Sequence, residues 1–80
     1  MTIETLAAIE APSSGSRSGF YAGVVLWGEG EAARVIEAAP IVRYMKIGHW
    51  TRARVREHCR RQGWRVSVVH RLERPEIFSG

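Results

Sequence analysis

Eighty residues are enough for one domain, and a chain of this size buries its own core only marginally, so a second copy or a partner would add to its stability. Twelve Lys and Arg against eight Asp and Glu give a net charge of +4 and an isoelectric point near 10.2, and every acid is Glu. A single cysteine, Cys59, excludes an internal disulfide, and no apolar run approaches the ~18 residues that a membrane span needs.

Residues 1–11 (MTIETLAAIEA) carry Ile3, Leu6, Ala7 and Ile9 at spacings compatible with a short helix, which alone is marginal in water. Glu4 and Glu10 and the lack of a basic start do not fit a signal peptide. Residues 12–19 (PSSGSRSG) have the composition of a flexible linker. The expected organisation is therefore a mobile segment over residues 1–18 and one domain over 19–80.

The run FYAGVVLW (20–27) is the most apolar in the chain and reads as a central strand. Ala32, Val35, Ile36 and Ala39 then recur at helical spacing, with Glu31 in the first turn and Pro40 as a stop, which predicts a helix over 31–39. IVRYMKI (41–47) mixes β-branched and aromatic residues and predicts a second strand closed by Gly48. A basic helix follows from Trp50 to Gln62, with Gly63 at its C-terminal turn. RVSVVHRL (65–72) alternates as a half-exposed strand, and residues 73–80 supply either a short fourth, edge strand or a docking tail.

The order β-α-β-α-β specifies a small α+β domain, a three-stranded sheet extended to four if the tail pairs, with both helices on one face. A parallel βαβ pairing stays open at this point.

On a helical wheel of about 100° per residue, Thr51, Val55, Cys59 and Gln62 form the stripe that faces a core. Arg52, Arg56 and Arg60 follow at i, i+4, i+8 along one flank, so their side chains stack roughly 6 Å apart. Arg54 and Arg61 lie on the other flank, each at a favourable spacing from Glu57, whereas the first row has no such acid on the helix. Like charges at i, i+4 cost a helix roughly 0.2 to 0.5 kcal/mol per pair, and a cation in the first turn opposes the helix dipole. That local cost is small for a solvated face, and it also leaves the row available to phosphates or to an acidic protein surface. Trp50 and Trp64 bracket this helix. They either pack it on the sheet or join the arginines in the aromatic and guanidinium composition of interface hot spots. The candidate binding residues are Arg52, Arg56, Arg60, Trp50, Arg54 and Trp64.

Catalytic and cofactor readings are weak. GEGEAA (28–33) formally matches a dinucleotide fingerprint, but Glu29 and Glu31 would face the pyrophosphate and no acid stands about 20 residues further on for the ribose. His49, His58, His70 and Cys59 lack metal-type spacing, and no nucleophile has an evident base. The expectation is a non-enzymatic protein without a cofactor.

The succession of GFYAGVVLW, EAARVIEAAP, YMKIGHWTRARVREHCRRQGW and RVSVVHRLE after a linker resembles the small phage-encoded anti-CRISPR proteins, in particular inhibitors of the type I-C interference complex, Cascade. The resemblance implies a binder of Cas subunits that acts in the cytoplasm of the bacterial host and keeps Cascade from engaging target DNA. Many such inhibitors are acidic duplex mimics, and a basic chain departs from them. Its charge allows the arginine row to dock on an acidic patch of a Cas subunit or on guide-RNA or DNA phosphates. The alternative is a small basic DNA- or RNA-binding module, such as a phage regulator, with no helix-turn-helix, RRM or zinc-finger signature to support it. A homodimer is compatible with either reading.

Overall fold

The computed structural model describes residues 2–13 and 18–74. Four strands, β1 (Thr2–Ala11), β2 (Phe20–Trp27), β3 (Arg34–Ala38) and β4 (Arg65–Arg74), form one antiparallel sheet in the order β3-β2-β1-β4. Two helices, α1 (Arg43–Ile47) and α2 (Arg52–Gln62), lie between β3 and β4 in the chain and cover one face of the sheet. The α+β class and the single helical layer agree with the sequence reading. The sheet has a fourth strand, all pairings are antiparallel, and the order is β-β-β-α-α-β.

Three elements correct the sequence reading. The short helix compatible with residues 1–11 does not form: β1 is a central strand, paired with β2 from Glu4↔Trp27 to Ala11↔Phe20 and with β4 on its other side. Its odd positions Ile3, Thr5, Ala7, Ile9 and Ala11 are all at most 8% exposed, a period of two that outweighs the helical spacing. The predicted helix over 31–39 is instead a short 3-10 turn (Gly30–Ala32) followed by β3. A nine-residue helix is marginal on its own, whereas β2 offers a row of backbone groups that need partners. Gly28 and Gly30, at φ 117° and 61°, turn the chain back so that Arg34 to Ala38 can supply them. Finally, the predicted strand over 41–47 is a 3-10 turn (Pro40–Val42) running into α1. Val42 and Met45, both fully buried, sit three apart on the face that this geometry turns inward. Residues 14–17 of the expected linker and the expected tail strand at 75–80 lie outside the described residues.

The core is one cluster between the helices and the sheet. Ala7, Ile9, Ala22, Val24, Leu26 and Val35 from the strands meet Val42, Met45, Val55 and Cys59. Fully burying a side chain such as Ile9, Val24 or Met45 contributes about 1.5–3 kcal/mol each, so this cluster is the main source of stability.

Candidate functional site: an arginine-lined groove

Helix α2 is placed by its two ends. At the start, the Arg52 N–H donates to Ala33 O (2.7 Å), the Val35 N–H donates to Trp50 O (2.9 Å), and Arg34 and Thr51 form an isolated antiparallel bridge. The Thr51 hydroxyl accepts from the Arg54 N–H (3.3 Å) and caps the helix, which begins two residues later than Trp50. At the far end Gly63 adopts the left-handed conformation (φ 75°), its N–H returns to Arg60 O, and the Trp64 N–H donates to Cys59 O (2.8 Å). Two residues later β4 begins, so α2 and β4 run in opposite directions. Val55 and Cys59 face the core as the wheel predicts, while Gln62 is exposed.

This arrangement sorts the six candidate residues into two groups. Arg52, Arg56, Arg60 and Trp64 line a groove of about 270 Å³ whose floor is Ala7, Val55, Cys59, Val66 and Val68. Trp50 and Arg54 are on the other side of α2, where the Arg54 guanidinium stacks on the Trp50 ring, 4.2 Å from its centroid. His58 stands edge-on to Trp50, Tyr44 and Trp64, with centroids 5.1, 5.8 and 5.3 Å away, and its Nε2 is 3.1 Å from the Tyr44 hydroxyl. Phe20 continues the run of rings beyond Trp64 at 4.9 Å. The tryptophans therefore pin both ends of α2 to the domain, and Trp64 also closes one end of the groove.

The arginine row is less free than its spacing suggests. Arg56 donates to Glu31 Oε2, a partner 25 residues away that the turn at Gly30–Ala32 brings beside α2. Arg60 reaches Glu57 at 3.3 Å, and Arg61 reaches the same carboxylate at 3.4 Å. Those two guanidiniums, Arg60 first, hold the Glu57 carboxyl below its ordinary value. Among the described residues Arg52 has no carboxylate partner. The row is thus compensated at its middle, shares an acid at one end and is open at the other. These pairs are all well exposed, where each contributes at most about 1 kcal/mol and yields readily to salt or to a better anion. Along the row itself, Arg52 is thus the guanidinium left to an outside anion, and Arg60 holds only a share of Glu57.

Three features of the site were not drawn from sequence. One is the groove floor on β1 and β4. The second is the clamp from Glu31. The third is a bulge in β4, between the pairs Leu6↔His70 and Ala7↔Val68, which gives Val69 no register partner on β1. Val66 and Val68 consequently face the helices, while His70 and Leu72 face the other side of the sheet, although unbroken alternation would put all four together. That other side carries Leu6, Tyr21, Trp27 and Leu72, 38%, 71%, 50% and 38% exposed, and among the described residues no element covers it.

Cys59 is 1% exposed, and burial pushes its thiol up to about 11. An intermolecular bridge through it is therefore closed to the folded chain. Among the described residues, no three His, Cys, Asp or Glu side chains gather as metal ligands, and no helix is long and apolar enough to cross a membrane.

The fold and this groove define the protein as a small antiparallel α+β domain with an arginine-flanked apolar cleft. No protein-family model, no curated protein and no solved structure matches the chain.

Proposed function

We propose that the chain is a non-enzymatic binding protein that docks on Cascade in the cytoplasm of the bacterial host and blocks its engagement of target DNA. The observation that carries the binding reading is the groove between α2 and β4, in which Arg52, Arg56 and Arg60 stand along one wall over an apolar floor. Such a surface recognises carboxylates or phosphates through guanidinium contacts and gains affinity from the apolar floor. The choice of Cascade as partner rests on the sequence resemblance alone.

The test is co-elution with purified Cascade on a sizing column, using the wild-type chain and the triple variant Arg52→Glu, Arg56→Glu, Arg60→Glu. The expected result is a complex with the wild type and none with the variant, while the variant keeps its native circular-dichroism spectrum. Equal co-elution of both removes the arginine row from the mechanism, and no co-elution of the wild type removes Cascade.

The nucleic-acid reading draws on the same excess charge. It is the weaker one, because the side of α2 that carries Trp50 already has Arg54 stacked on the ring where a base would lie. Gel retardation over a salt series separates the two. A nucleic-acid module binds tightly at low salt and weakens steeply, by about one counterion per phosphate contact.

A further inference from the structure

Strand β4 is an edge of the sheet. Along its outer side, among the described residues, no strand takes up its N–H and C=O groups. Its middle is uncharged and exposed, with Val68 at 49% and Val69 at 56%, while Arg65 stands near one end and Arg71 and Glu73 near the other. A ten-residue edge of this kind is a template for one more strand. The groove is floored by Val66 and Val68 of this strand together with Ala7 of β1, so the helix-side side chains of a strand added along β4 would stand beside the groove that the α2 arginines line.

The spacing and the charges then specify the occupant. Arg52 and Arg60 are eight residues apart on a helix, roughly 12 Å, and two side chains four apart on an extended strand are separated by roughly 13 Å. Arg56, midway, is already held by Glu31, whereas Arg60 only shares the exposed Glu57 carboxylate with Arg61, a pairing that yields to a better anion. Between the two outer guanidiniums the groove floor is apolar: Val55, Cys59, Val66 and Val68. A second copy is a poor occupant, because antiparallel β4–β4 pairing would bring two such arginine rows toward each other across the two-fold axis.

We infer that the β4 edge and the overlying groove form a strand-addition site for an acidic extended segment of a partner protein, of pattern Glu-x-Val-x-Glu. The two carboxylates meet Arg52 and Arg60, and the central apolar side chain fills the groove. The inference rests on the binding reading above and names the chemistry of the partner at that site.

A blocked synthetic peptide, Thr-Glu-Thr-Val-Thr-Glu-Thr, tests it by NMR titration of the labelled full chain. Saturable shifts confined to β4 and the groove residues, Arg52, Val55, Cys59 and Arg60 among them, are expected, with binding at least tenfold weaker for a peptide of equal composition whose two Glu are adjacent. The variant Arg52→Glu, Arg60→Glu should lose the peptide tenfold or more and gain the Lys-for-Glu counterpart. Because both side chains are outside the core, its native spectrum is expected to persist, and Arg52→Gln, Arg60→Gln serves if it does not. Shifts on the Leu6, Trp27 and Leu72 face, equal binding of the two peptides, or displacement of the peptide by oligothymidylate at equal concentration would overturn the inference. Peptide binding without Cascade co-elution keeps this site and discards the Cascade reading. Cascade co-elution that the peptide does not inhibit discards this site alone.

Discussion

At the scale of single residues, Gly63 and Cys59 decide how α2 ends and what it buries. Gly63 sits at φ 75° with no atom within 4 Å of the place a Cβ would take, so the cost of a side chain there is conformational and not steric. Gly63→Ala should destabilise the fold by roughly 1–2 kcal/mol without altering the groove, read as a lower urea midpoint with an unchanged m-value. Cys59 is both buried and raised in pKa, so thiolate chemistry is suppressed twice over. Its reaction with a disulfide reagent at neutral pH should follow unfolding, slow in buffer and fast in denaturant. Rapid native labelling would mean that the groove floor opens.

At the scale of elements, the strand β1 carries the greatest weight. Because β1 lies between β2 and β4, its loss separates β4 from the rest of the sheet and removes Ile3, Ala7 and Ile9 from the buried set. Deleting residues 1–11 should abolish the cooperative thermal transition, where a disposable arm would leave it in place. The elements that were legible in sequence are those whose local signals agree. FYAGVVLW has length, β-branching and flanking glycines for a strand. The basic helix has Gly63 after it and Val55 and Cys59 at i, i+4, although Thr51, placed by the wheel in the core stripe, is its N-cap. The elements that were not legible carry conflicting signals. EAARVIEAA has helical spacing and good helix formers, but it is short and follows two glycines held at positive φ, and the open edge of β2 decides its fate. IVRYMKI has the composition of a strand, and only the inward positions of Val42 and Met45 show that a helix is needed. In β1 the period of two was present, with Glu4 and Glu10 outside Ile3 and Ile9, but Leu6 and Ala8 on the outer face blur it. Of the candidate site, the arginine row was readable from one helix. Glu31, Val66 and Val68 were not, since only the long-range pairing of β3 and β4 brings them to it.

At the scale of the whole molecule, the distribution of charge and uncovered surface governs behaviour in solution. Lys46 holds the Glu37 carboxyl below its ordinary value by a hydrogen bond (2.9 Å) and by charge, as Arg60 and Arg61 do for Glu57. A carboxyl whose folded pKa is depressed contributes stability above its ordinary pKa and loses it as pH falls through the lowered one. Both pairs are well exposed, so the thermal midpoint should be flat from neutral pH to the top of the carboxylate range and decline modestly below it, with added salt shrinking the difference. A steep loss near neutral pH would point to a group other than these carboxylates. The excess positive charge lies with α2 and the groove, whereas the exposed face around Leu6, Trp27 and Leu72 is apolar at its centre. One side of the molecule is therefore suited to an anionic partner and the other is not.

The most direct measurement is target-DNA engagement by purified Cascade, titrated with the wild-type chain and with the Arg52→Glu, Arg56→Glu, Arg60→Glu variant, both verified as folded. The wild type is expected to suppress engagement at stoichiometric concentration, and the variant to require at least tenfold more. Suppression by both at the same concentration would remove the arginine row from the mechanism, and suppression by neither would remove Cascade.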